Sequence, residues 1–246
     1  LCISEILYHP VLEESYEETH EFVEVHNPTD APVSLAGYTL AGGIDAAFPD
    51  TVLPPGGTVV VARDRAALLA VGEYALDPSV VFGDTSRSLD NGGDLVMLVP
   101  RRGAAESVAY DDGPPWPVAA DGLGASEAWL PAEWLPLERH RHRGVSLERV
   151  SCELPADDPA SWVPSPLDGP TPGRTDAGAA AVAPPIVTTL AVSPTPLTAA
   201  GPLIVTATLS TAEGLGAVTL EYFVDDVTVT DEPTETAPMT TTGGAV

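Results

Sequence analysis

The chain contains no lysine. Its ten basic residues are all arginine, and they stand against 36 acidic ones for a formal net charge of −26. So negative a surface repels polynucleotides and anionic lipid and attracts cations diffusely, so neither nucleic-acid binding nor docking to a lipid surface is expected. Long apolar runs are missing too. No stretch approaches the roughly 18 residues needed to cross a bilayer, so no membrane insertion is expected. Sequence signatures of catalysis are also lacking: there is no Gly-x-Ser-x-Gly, no His-Glu-x-x-His and no phosphate-binding Gly-rich loop. Cysteine is scarce, with only Cys2 and Cys152. In an acidic, proline-rich β-protein two thiols read either as one disulfide in an oxidising compartment or as two separate buried thiols. A bridge closing so long a loop contributes about 5 kcal/mol in the loop-entropy account. No leader is evident and the first residue is Leu1. The chain therefore reads as a piece of something longer, already inside a domain where it starts.

What is present is turn chemistry and short apolar runs. The chain has 22 glycines, 26 prolines, an apolar fraction of 44% and a mean hydropathy of +0.11. That mixture favours many short strands over long helices. "CISEILYHP" alternates and reads as a strand that stops at Pro10, and "EFVEVHN" alternates before the Asn27-Pro28-Thr29-Asp30 turn. "PVSLAGYTL" then gives a second strand, so Thr19 to Leu40 reads as an antiparallel pair with one face packed and one wet. "TVVVA", Leu95 to Val99 and "AAESVAYDD" continue the β pattern, the last two pairing across Arg101-Arg102-Gly103. The best helix candidate is "DRAALLAVGEY", one or two turns capped by Asp64. Between Gly113 and Arg143 the pattern loosens into a long loop, and "GVSLERVSCEL" restores a strand. Trp162 is expected to anchor the Pro-rich tail to the core.

Composition shifts near residue 174. "RTDAGAAAVAPP" reads as a linker over residues 174–185, and residues 186–246 read as further strands. An immunoglobulin-like sandwich takes about seven strands and 100 residues, so residues 186–246 look like the first part of a truncated second β-sandwich.

In order along the chain, "ISEILYHP", "HEFVEVHNPTDAPVSLAGYTL", "LPPGGTVVVARD", "SLDNGGDLVMLV", "SVAYDD" and "DDPASWVPSPLDGPTPG" resemble lamin tail domains, the bacterial members most closely. The resemblance runs from Ile3 to Gly173. It implies an all-β, immunoglobulin-like β-sandwich over residues 1–173, in agreement with the strand pattern. The segment from Ile186 resembles, more weakly, part of an immunoglobulin-like or fibronectin-type module. In animal lamins the domain is a protein-interaction and chromatin-contacting module beside a coiled coil. Here heptads and a sizeable basic patch are lacking, so filament work in a nucleus is not expected. Bacterial relatives of this kind belong to secreted or cell-surface proteins, beside other β-sandwich modules, nucleases or kinase-like domains resembling those of spore-coat proteins.

Candidate chemistry is thin. Glu13, Glu14, Glu17, Glu18, Glu21 and Glu24 form the densest acidic run. Without Asp-x-Asp-x-Asp-Gly spacing the favoured reading is a solvated loop rather than a Ca²⁺ site. Asp111, Asp112, Asp157 and Asp158 are better cation candidates, being short carboxylates at turns, although such residues more often bond their own backbone. In "RHRHR", Arg139 to Arg143, alternation places His140 and His142 on one face; with His20 or His26 they suggest Zn²⁺, or else an exposed basic patch. The tryptophans suit either packing under loops or a recognition surface. The expectation is a non-catalytic module, without a required cofactor, that recognises protein or glycan at the envelope of a bacterial cell. Two alternatives are an accessory region of a larger exported enzyme and a Ca²⁺-stabilised adhesive module.

Overall fold

The structure, a computed structural model, describes residues 1–10, 19–121, 144–165, 169–174, 185–194, 201–210, 216–222 and 235–242. Expectations for Glu13 to Glu18, for Trp129 and Trp134, for Arg139 to Arg143 and for most of the linker lie outside these residues.

In chain order the elements are β1 (Cys2–Leu7), β2 (Phe22–His26), β3 (Val33–Ser34), β4 (Thr39–Gly42), β5 (Ala46–Ala47), β6 (Val52–Leu53) and β7 (Thr58–Ala62). After these come helix α1 (Arg65–Ala70), β8 (Val81–Gly83), β9 (Gly93–Val99), β10 (Glu106–Asp111), β11 (Leu147–Arg149) and β12 (Trp162–Pro164). They build two principal sheets. One has six strands in the order β12-β11-β1-β2-β7-β8, antiparallel except for the β7–β8 pair. The other has four strands in the order β10-β9-β4-β5. Between them lies one apolar core. Ile3, Ile6, Val23, Val25, Val59, Val61 and Leu147 face it from the first sheet, and Leu40, Val96, Leu98, Val108 and Tyr110 from the second. The fold is therefore all-β, and the strands β1 to β12 close as a β-sandwich.

The outer face of the six-stranded sheet is covered as well, in two halves. Leu7, Phe22, Val60, Ala62 and Val81 pack with Leu68 of α1. The helix starts where expected, with the Asp64 carboxylate accepting from the Ala67 amide at 2.9 Å. Beyond the helix, residues 169–174 lie across β11, β1 and β2, as their bonds to Glu5, Glu24 and Glu148 show. Double coverage explains why "TVVVA" is an unbroken apolar run: every residue of β7 is buried.

The stretch from Thr19 to Leu40 departs from expectation. Phe22–His26 does not pair with the strands that follow the Asn-Pro turn. β2 pairs with β1 and β7, whereas β3 pairs with β6, and β4 with β5 and β9 in the other sheet. The turn carries the chain from one layer to the other instead of folding it back. Nor does β2 have a wet face: Glu21 and Glu24 are both buried.

Asn27 makes the crossover possible. Fully buried, it donates through Nδ2 to the carbonyls of Ala31 (2.9 Å), Leu53 (3.2 Å) and Pro54 (3.0 Å). Its Oδ1 accepts from the Thr29 hydroxyl at 2.7 Å. One amide thus ties the turn after β2 to the end of β6 and the residue that follows it.

Further along, β13 (Ile186–Ser193) pairs with β14 (Ile204–Ser210), and β15 (Thr219–Tyr222) with β16 (Glu235–Pro238). Leu190, Val192 and Ile204 of the β13–β14 pair are exposed.

Candidate functional site

Polar groups gather at three places in the sandwich. The first is the staple at the start of β1. Cys2 and Cys152 are joined as a disulfide, with Cα atoms 5.9 Å apart across 150 residues of sequence. β1 lies between β11 and β2, so the start of the strand is already next to the turn that follows β11. Beside the staple, Arg149 of β11 crosses into the core. It donates to Glu106 of β10 at 2.9 Å and to the Leu154 carbonyl at 2.5 Å, and its guanidinium sits 5.7 Å from the centre of the Trp162 ring. Trp162 is buried, donates to the Ala156 carbonyl at 2.9 Å and lies 6.3 Å from Trp116. Trp116 and Trp162, the two described tryptophans, are therefore packed inside.

The second place is one end of the sandwich, where β1 runs out at Tyr8 and β10 at Asp111. Tyr8 is stacked on Tyr110, ring centres 4.5 Å apart. The Tyr110 hydroxyl donates to the Asp90 carbonyl at 2.8 Å, while the buried Tyr8 hydroxyl has no partner among the described residues. Burial raises the Tyr8 pKa, and the charges of Asp121, Asp112 and Asp111 raise it further. His9 Nδ1 stands 2.6 Å from an Asp121 carboxylate oxygen. The Asp112 carboxyl is likewise held above its usual range, by burial first and then by its contact with the Asp111 carboxyl and the charge of Asp121.

Asp111 also accepts from the Gly113 amide at 3.0 Å. Asp158, in the loop between β11 and β12, accepts from the Ala160 amide at 3.0 Å and caps a single turn of 3₁₀ helix. Asp157 is exposed beside it. The two aspartate pairs belong to different loops. Among the described residues, no three His, Cys, Asp or Glu side chains stand close enough together to hold a metal ion. His26 is half-buried at the end of β2, and burial lowers its pKa.

The third place has no counterpart in the sequence reading. Glu5 of β1 lies directly opposite Glu148 of β11 on one side and Glu24 of β2 on the other. All three side chains are buried, on the sheet face away from the main core. Glu5 Oε1 accepts from the Ser146 hydroxyl at 2.5 Å and the Thr171 amide at 2.9 Å. Glu24 accepts from the Ser4 hydroxyl at 2.6 Å and the Gly173 amide at 2.6 Å. Glu148 accepts from the Thr171 hydroxyl at 2.7 Å. Burial, followed by the charge of Glu24, raises the Glu5 pKa well above the usual carboxylate range. Burial also pushes Glu24 up to about 7, against the lowering effect of its hydrogen bonds. The alternation of "EFVEVHN" shows Glu24 on a face of its own, but nothing local indicates that a distant segment covers that face.

Chemically, these arrangements brace one segment against another: sheet to sheet through Arg149 and Glu106, first strand to late turn through the disulfide, and outer face to tail through the glutamates. No curated protein and no solved structure matches the chain. Residues 1–112, which span β1 to the end of β10, match the family model described as Lamin Tail Domain, a non-catalytic immunoglobulin-like family, and the two-layer sandwich that β11 and β12 complete has the architecture of that fold.

Proposed function

We propose that this chain is a non-catalytic interaction and structural module of a bacterial protein exported to the cell surface or beyond, docking to protein or glycan at the envelope. The observation that carries the reading is the Cys2–Cys152 staple on a sandwich whose buried polar side chains brace the fold. Such a cross-link persists in oxidising compartments and is rare in reducing ones. The Lamin Tail Domain match points the same way, since that family works through structure and interaction. The strands from β13 onward fit a second β-module in series with the first, presenting it at a distance.

The test has two arms. Protein exported to an oxidising compartment is measured intact by mass under denaturing, non-reducing conditions with a thiol-blocking reagent. The expected result is no label on either cysteine; two labels remove the argument for export. Fluorescently tagged protein is then titrated onto intact bacterial cells and onto purified peptidoglycan and surface-protein fractions. Saturable binding to one fraction supports docking, and an absence of binding to all of them overturns it.

A further inference from the structure

We propose that residues 169–174 form a proton-controlled latch over the glutamate row of β1, β2 and β11, closed while the row holds protons and released as it ionises. The geometry is unusual for a sheet. Opposite positions on neighbouring strands place side chains about 5 Å apart, and like charges there repel. Here three carboxyls occupy such positions in a line, Glu148–Glu5–Glu24, beneath a cover that keeps water out. The cover is fastened by the glutamates themselves. The amides of Thr171 and Gly173 and the Thr171 hydroxyl end on Glu5, Glu24 and Glu148 respectively.

Among the described residues, the charges that act on Glu5 and Glu24 are those of the row itself. The charges acting on Glu5 are those of Glu24 and Glu148, both of its own sign. Ser4, beside it on β1, and Ser146, next to β11, are neutral donors. From β7 the residue opposite Glu24 is Val60, and from β12 the residue opposite Glu148 is Val163. Arg149, next along β11, lies on the other face with Glu106. The latch carries one charged residue, Arg174, exposed at its end.

The sign follows from these neighbours. Closing the latch buries the row, and burial raises the affinity of Glu5 and Glu24 for protons by more than the bonds from the Thr171 and Gly173 amides lower it, so the closed form binds more protons than the open one. Closure is therefore fully favoured below the ordinary carboxylate pKa. It is lost as pH rises through about 7, the value to which Glu24 is raised. Opening admits water to three carboxylates at the expense of three hydrogen bonds and leaves the main core, on the other face, in place. In the chain the latch falls between β12 and β13, so its release lengthens the connection from the sandwich to the later strands.

The experiment is amide hydrogen exchange on the full chain at pH 5.5 and 8.5, corrected for the intrinsic pH dependence of exchange. Thr171 and Gly173 are read against Val60 of β7. Expected is a loss of protection at Thr171 and Gly173 of about tenfold or more at the higher pH, with Val60 unchanged. Glu5→Gln keeps an oxygen to accept from Ser146 and Thr171 but removes the central charge, and it should hold protection at both pH values. Glu148→Gln removes one outer charge and should shift the release to higher pH, providing a second readout if the first variant folds poorly. Equal protection at both pH values in the unaltered protein, or a loss in both variants matching it, overturns the proposal.

Discussion

Arg149 on the six-stranded sheet reaches through the sandwich to Glu106 on the four-stranded one, closing an ion pair of 2.9 Å with the arginine side chain 2% exposed. Glu106 is also the acceptor for the Ile3 amide, at 2.6 Å. The pair thus ties β10, an edge strand, to the two strands behind it. Glu106→Ala strands a buried guanidinium and orphans a backbone donor, so it should cost about 3–5 kcal/mol in urea unfolding. Glu106→Gln, which keeps an acceptor, should cost clearly less. Equal losses would show that the charge of Glu106, and not its acceptor oxygen, is what holds Arg149.

The disulfide is the second measurable support. Unfolding with and without reductant, or in Cys152→Ser, should differ by about 2–5 kcal/mol, the upper figure being that of the loop-entropy account for a loop of this length. The slope against denaturant should rise on reduction, because the unfolded chain is then free to expand.

At the crossover, Asn27→Ala should destabilise by about 3 kcal/mol. It removes the donor to the buried Leu53 carbonyl and the bonds that hold the Ala31 and Pro54 carbonyls beside it, and it leaves a cavity where a fully buried side chain stood. Asn27→Asp keeps the shape but replaces the donor amide with an acceptor, so it should be no better tolerated. A thermal melt compares the variants directly.

Calcium gives a fourth test. The oxygens of Asp111 and Asp158 are already engaged by the amides of Gly113 and Ala160. EDTA or millimolar CaCl₂ should therefore move the melting midpoint by less than about 1 °C. A larger, saturable rise with CaCl₂ would favour the Ca²⁺-stabilised adhesive reading and send the search for ligands first to Asp111 and Asp112, whose charges, with that of Asp121, already act on Tyr8.

Much of this architecture was legible in advance, for local reasons. Alternation marked β1, β2, β9 and β10, the Arg101-Arg102-Gly103 turn predicted the β9–β10 pairing, and Asp64 before an alanine- and leucine-rich run located α1. What local pattern does not encode is partnership. Asn27-Pro28-Thr29-Asp30 announces a change of direction, yet the next strand joins the opposite sheet, because the choice is made by apolar faces far apart in sequence. The glutamates show the same limit. Charge at every second or third residue of "EFVEVH" reads as a wet face, and only a cover arriving some 150 residues later makes it dry. Two cysteines left the staple undecided because pairing is a matter of distance, which the fold alone supplies.

The staple also sets how the module responds to tension. A pull applied ahead of Cys2 and beyond Arg174 is carried across the sulfur–sulfur bond, bypassing every residue between Cys2 and Cys152. At about 3.5 Å per residue, the contour free to pay out is about 75 Å, against about 600 Å for the same stretch uncrosslinked. Such a unit yields a short, bounded extension in which β12 peels from the edge of its sheet, while the strands from β1 to β11 stay outside the path of the force.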